Sequence, residues 1–328
     1  MKSDFFKYQA QTSPYPLAIE ISSANGSYIY DTSNKKYLDF VAGVSANSLG
    51  HNHPIISEAI KNQVDKYTHV MVYGEFIQQP QVDLCKLLAL NSPKELQSIY
   101  ITNSGTEATE GALKLAKRVT NRAEIIAAKN SYHGNTQGSM SVSGVEKQNA
   151  AFRPLIPGIK FIEFNNEIDI FKITTKTAAV ILETIQGGAG IIEPKENYLK
   201  QIKAQCNKVG ALLILDEIQV GCGRTGSLFA FEQYGIVPDI LLLAKAFGGG
   251  MPLGAFVASK KMMDSFTNNP YLGHITTFGG HPVCCAAGLA SLKVLTEEKE
   301  IVENVAAKAM LFKEQLKHEA ILEVRNAG

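Results

Sequence analysis

No apolar stretch in the 328 residues approaches the ~20 that a membrane-crossing helix needs, so the chain is not expected to enter a bilayer. The opening segment, MKSDFFKYQAQTSPYPLAIE, has no apolar core followed by a small-residue cleavage site, and no secretory signal is expected. Charge of one sign is also missing. The 32 basic and 31 acidic side chains leave a formal +1, too little to draw nucleic acid or an anionic membrane to the whole surface. Cysteine is sparse: Cys85, Cys206, Cys222, Cys284 and Cys285 are odd in number and form no CxxC, which argues against a disulfide framework or a zinc ribbon. These absences point to a globular protein of a reducing compartment, the cytoplasm. Its length and 45% hydrophobic content suffice for a sizeable core in one large or two modest domains.

No repeat, low-complexity run or polar linker interrupts the chain. Short, wholly apolar runs recur instead: Ser98–Thr102, Ala123–Ala127, Ala178–Leu182, Ala211–Leu215 and Ile240–Ala244. Runs this short and unalternating fit strands buried on both faces of a mainly parallel sheet. Helix-period stretches such as Glu107–Val119 and Tyr198–Val209 lie between them, which predicts an α/β fold with the sheet covered on both sides. Upstream, Gly26–Phe40 alternates like a hairpin with Asn34 and Lys35 near its turn. Downstream of Ser291 the pattern is helical to about Lys317, and Ala320–Val324 reads as the start of a strand. That strand so near Gly328 leads us to expect that the C-terminal part of a second, smaller domain is missing.

Ligands of such sheets sit beyond the carboxyl ends of the strands, so the residues after each run matter most. After Ser98–Thr102 come Asn103-Ser104-Gly105-Thr106-Glu107, where small residues and free first-turn amides can cradle a phosphate or simply form a Ser104 or Thr106 cap. After the second run, Tyr132 stands in Ser131-Tyr132-His133-Gly134-Asn135 as a plate for a flat ligand or a packed loop aromatic. After Ala211–Leu215 comes Asp216-Glu217, which resembles the acidic strand end of a nucleotide hydrolase. No GxxxxGK[ST] loop accompanies it, and that reading fails. Gly221, Gly223 and Gly226 match GxGxxG out of context, a chance agreement. After Ile240–Ala244 comes Lys245, followed by the glycine run Gly248–Gly250. Burial there lowers an ammonium's pKa and frees an amine to attack a carbonyl, the alternative being a snorkelling surface lysine. Together, a phosphate cradle, an aromatic plate, a buried carboxylate and an amine meet the needs of pyridoxal 5'-phosphate.

From about Pro14 onward the chain resembles the class-III pyridoxal-phosphate-dependent aminotransferases, in their acetylornithine/ornithine branch. The resemblance rests on six motifs in order: Gly50–Pro54, Asn103–Ala108, Ser131–Gly134, Asp216–Gly226, Ala244–Ala255 and His274–Pro282, with 245 − 216 = 29 residues from aspartate to lysine. It implies a fold-type-I α/β architecture. Residues 46–292 would form the large cofactor domain, residues 1–45 and 293–328 parts of a smaller one. It further implies that Lys245 forms the Schiff base and moves the substrate proton, and that Asp216 pairs with the ring nitrogen. Gln219 would lie near the phenolic oxygen and Tyr132 would stack on the ring. Gly105 and Thr106 would bind phosphate, with Thr277 reaching the phosphate of a neighbouring subunit, so that a homodimer shares its sites. Glu183, Asn135 and Thr276 would face the substrates, an amino donor and a 2-oxo acid. His51 and His53 read as structural loop residues, and no metal is expected.

Departures bear on the substrate. Asn135 stands where relatives often carry a carboxylate-binding arginine, and an amide cannot replace that charged fork. Gly188 replaces a glutamate, Val44 an aromatic, and Arg118, Arg122, Arg153, Arg224 and Arg325 are the only arginines. The expected activity is a ping-pong transamination from an amino acid or ω-amino donor, acetylornithine- or ornithine-like, to a 2-oxo acid such as 2-oxoglutarate. The alternatives are a same-fold aminomutase, racemase or decarboxylase, and a non-catalytic ligand-holding protein. The aromatic-rich loop His69–Phe76 is a candidate lining for the site entrance.

Overall fold

Two sheets organise the chain, which a computed structural model describes over residues 1–328. The smaller is an antiparallel ribbon of β1 (Ile21–Asn25), β2 (Tyr28–Asp31) and β3 (Lys36–Leu38). β2 and β3 form the expected hairpin, and Asn34 takes the left-handed conformation at its turn (φ 64°). Asp31 Oδ1 accepts from the Ser33 and Lys35 amides, closing the turn with a side chain that can bond its own backbone.

The larger sheet contains β4 (Ser98–Thr102), β5 (Glu124–Ala128), β6 (Ile159–Ile162), β7 (Thr177–Glu183), β8 (Leu212–Asp216), β9 (Ile240–Leu243) and β10 (Gly254–Ala258). Their spatial order is β4-β10-β9-β8-β7-β5-β6, with β10 alone antiparallel to its neighbours. All five apolar runs are strands. β6 and β10 are additions: β10 begins at Gly254, at the end of the glycine-rich motif that follows Lys245.

Side-chain alternation sorts the core into two clusters. Val180, Leu182, Leu213, Leu215, Leu241 and Leu243 pack with Leu199 and Ile202 of the helix Tyr198–Val209. Ala179, Ile181, Ile214, Ile240, Leu242 and Phe256 pack with Ala108, Ala112 and Leu115 of the helix Gly105–Thr120. Continuing the alternation past the last apolar residues puts Glu183 and Asp216 on the face of the Gly105–Thr120 helix. Thr184 and Glu217 point to the opposite face.

Two expectations are corrected. The helical stretch after Ser291 belongs to two helices, Pro282–Glu297 and Lys299–Gln315, because Glu298 leaves helical geometry at ψ 66°. Ala320–Val324 forms no strand, since no segment runs beside it to supply a hydrogen-bond ladder.

Gly111 lets the Gly105–Thr120 helix approach the sheet: a Cβ there would lie 2.3 Å from Phe256 Cε1. Gly111→Ala is expected to destabilise the fold by about 1–3 kcal/mol, the usual range for overpacking a core. A lower urea midpoint with an unchanged slope would show it; an unchanged midpoint would mean the helix shifts freely.

Candidate active site

The carboxyl ends of β4, β7, β8 and β9 open into a cavity of about 480 Å³. Glu183 and Asp216, register partners on β7 and β8, both line it and both are buried. Lys245 stands two residues beyond β9 and lines the same cavity. Its backbone is left-handed (φ 49°), unusual for a residue with a long side chain. Burial lowers its pKa, opposed by the charges of Asp216 and Glu183 and aided by Arg224. The lysine is therefore not a snorkelling surface residue.

Asp216 is fixed from two sides. Its Oδ1 accepts from the Ile218 amide at 2.9 Å, and its Oδ2 lies 2.7 Å from His133 Nδ1. Both side chains are buried, and His133 Nε2 has no hydrogen-bond partner. In sequence His133 is one residue of the Ser131–Gly134 motif with no role of its own; its place beside Tyr132 after a buried strand is the one signal for it. Burial pushes the Glu183 carboxyl up to about 7, against the lowering effect of nearby His133. Its Oε2 accepts weakly from the Tyr132 amide at 3.4 Å.

The helix beginning at Gly105 is capped by Ser104, whose Oγ accepts from the Glu107 amide at 3.3 Å. The cap and the anion cradle coexist, because the Gly105 and Thr106 amides at the first helical positions have no intrahelical acceptor. No Cβ fits at Gly105, which would meet Ile218 Cδ1 at 2.7 Å. The Thr106 hydroxyl is turned away into a cluster with Thr136 Oγ1 (2.8 Å) and Ser139 Oγ (2.6 Å), so only its backbone is free for an anion. Half-exposed Tyr132, Asn135 and Gln219 complete the expected lining. Gln219 rests on Gly187, where a Cβ would come within 2.4 Å of its Oε1.

Thr276 and Thr277 do not line the cavity of their own chain. Thr276 Oγ1 accepts from the Gly279 amide, and Thr277 is exposed. The loop His69–Phe76 does not line it either; His69 stacks on His281 with ring centroids 5.3 Å apart. His51 pairs with Asp39 at 2.7 Å and steadies the segment leading to Ala46 at the cavity wall. Arg224 braces that segment too, donating to Ser48 Oγ (2.5 Å) and Ser45 O (3.3 Å). No arginine lines the cavity.

A partly buried amine, a carboxylate held by the Ile218 amide and the His133 ring, and a helix start with free amides converge on one cavity. Across residues 8–328 the sequence matches the family model of the class-III aminotransferases. The chain belongs to this family. Among its relatives, the acetylornithine aminotransferase of Clostridium acetobutylicum is 41% identical over 322 residues, 94% of this chain and 81% of that one. That of Methanocaldococcus jannaschii is 40% identical over 325 residues, 95% of this chain and 79% of that one. The ornithine aminotransferase of Toxoplasma gondii, whose active site partly holds pyridoxal phosphate, superposes with a TM-score of 0.90 at 31% identity, covering 100% of this chain and 80% of that one. An (S)-enantioselective omega-transaminase of Thermomicrobium roseum superposes with a TM-score of 0.92 at 29% identity, covering 99% and 81%. This aminotransferase is thus a fold-type-I enzyme that uses pyridoxal 5'-phosphate. Its donor set fits that group: an amine for the aldehyde, a carboxylate for the ring nitrogen and free amides for the phosphate. No helix is long and apolar enough to cross a membrane.

Glu183 and Glu217 share a titration range, since burial also pushes Glu217 up to about 7. Folding raises both pKa values above 4.5, so each favours the folded state at low pH and loses that contribution as pH rises through about 7. Urea midpoints of cofactor-free protein are therefore expected to fall between pH 5 and pH 8, with Glu183→Gln removing about half of the dependence. An unaltered slope in that variant would show that Glu183 keeps an ordinary carboxylate pKa.

Proposed function

We propose that this aminotransferase moves the terminal amino group of an acetylornithine- or ornithine-like donor to a 2-oxo acid such as 2-oxoglutarate in a ping-pong exchange. The single observation that carries the reading is the desolvated Lys245 amine sharing a cavity with buried Asp216. The names of the relatives, acetylornithine and ornithine aminotransferases, support the donor class.

Each residue has a part. When bound, pyridoxal phosphate supplies an electron-withdrawing ring that makes the hydrogen on the amine-bearing carbon acidic. Lys245, whose pKa burial lowers, is the group that attaches the cofactor and then takes and returns that proton. Asp216, fixed in place by His133 and the Ile218 amide, holds the proton of the ring nitrogen. The Gly105 and Thr106 amides receive the phosphate, Tyr132 covers a ring face and Gln219 serves the phenolic oxygen. Glu183 and Asn135 face the substrate.

Thr276 and Thr277 lie off the cavity of their own chain, and we assign them to that of a partner subunit, with Thr277 on its phosphate. A homodimer would then be the working unit. Exposed Ile275 and Phe278 beside them supply apolar surface for that contact. Residues 46–292 serve as the cofactor domain, with 1–45 and 293–328 contributing to a smaller one. A cytoplasmic setting accords with five free cysteines, four of them buried.

A donor panel, followed through conversion of the bound cofactor to its amine form, is expected to favour ω-amino donors; reaction with α-amino acids alone would contradict the assignment. Lys245→Ala should lose both the visible cofactor band and turnover, whereas Asp216→Asn should keep cofactor and lose most activity. Asn135→Arg is expected to lower KM for the 2-oxo acid about tenfold, the worth of one charge-assisted bond. No change in KM would place the carboxylate elsewhere.

A further inference from the structure

Glu217 is a buried carboxylate without a cationic partner, and it does not line the cavity. A charge in that position is costly unless it is well supplied with donors. It has three. Oε1 accepts from Thr184 Oγ1 at 2.8 Å and from the Phe231 amide at 2.6 Å, and Oε2 accepts from the Ala230 amide at 2.7 Å. Thr184, Ala230 and Phe231 are buried as well, so water cannot replace Glu217 as their acceptor.

The identity of these donors gives the arrangement meaning. Thr184 follows Glu183 at the end of β7, and Glu217 follows Asp216 at the end of β8. The Glu217 amide also donates to Leu242 O on β9, three residues before Lys245, at 3.0 Å. One residue thus ties the ends of the three strands that carry Glu183, Asp216 and Lys245. The tie lies behind the sheet, on the face away from the cavity.

We propose that Glu217 is a positioning residue that sets the spacing of Glu183 and Asp216 from the far side of the sheet, chiefly through the Thr184 hydroxyl. Two carboxylates in register repel; the last backbone bond between the strand ends, from the Thr184 amide to Asp216 O, is long at 3.3 Å, and the side-chain tie reinforces it against splaying. Splaying would move Asp216 relative to the ring nitrogen that it serves. The inference rests on the assignment of Asp216 and Lys245 to the cofactor.

The test uses Glu217→Gln, Thr184→Val and Thr184→Ser in cofactor-loaded protein. An amide at 217 keeps Oε1 for Thr184 and Phe231 and turns its N–H towards the Ala230 amide, loosening the anchor of the tie without removing it; valine at 184 removes the hydroxyl at constant shape; serine retains it. Cofactor dissociation constants and the pH midpoint of the visible cofactor band are measured for each. Thr184→Val is expected to weaken cofactor binding about tenfold and to move the midpoint by about half a unit or more, Glu217→Gln to shift both in the same direction by less, with Thr184→Ser close to the parent. Thr184→Val tests the tie even where Glu217→Gln fails to fold. Parental midpoint and affinity in Thr184→Val would overturn the proposal. A parent protein whose visible band survives Lys245→Ala would instead overturn the assignment of the cofactor site itself.

Discussion

Lys245 and Asp216 share a cavity in which burial works against the charge of the amine and two partners fix the carboxylate in place. Burial disfavours the charged form of an amine and of a carboxylate alike, so each needs its surroundings arranged around it. The structure meets that need by making Asp216 the last residue of β8, its direction fixed by alternation, and by setting Lys245 two residues past β9. His133 and the Ile218 amide then hold the carboxylate alone.

That arrangement draws in the neighbouring loops. Arg224 and the Asp39–His51 pair hold residues 45–48 against the cavity, and the Thr106–Thr136–Ser139 hydroxyl cluster fixes the turn around Asn135. Glu110 on the Gly105–Thr120 helix secures that turn further by accepting from the Gly138 and Ser139 amides. These groups hold the walls of the site rather than touch its centre. The left-handed backbone at Lys245 belongs with them, since a strained residue persists only where its surroundings overdetermine it.

Much of this was legible in the sequence. Runs apolar throughout announced strands buried on both faces, and the residue after each run named the cavity wall. What stayed hidden depends on partners distant in the chain. Nothing near Glu217 in sequence indicates that Thr184, Ala230 and Phe231 would surround it. Nothing near His133 shows which of its neighbours it would bond. Ala320–Val324 carries the composition of a strand, but a strand exists only where a second segment meets it, and composition is silent on that. β10 was masked by its glycine-rich surroundings although its five residues are all buried.

The sheet order has a consequence for biogenesis. Thr102 pairs with Gly254, so the strand that precedes the Gly105–Thr120 helix finds its only sheet neighbour after some 150 further residues have emerged from the ribosome. Until then both edges of β4 are open. The cavity, which needs Lys245 as well, is completed late in the life of the nascent polypeptide, and β4 is the stretch most in need of chaperone cover while it waits.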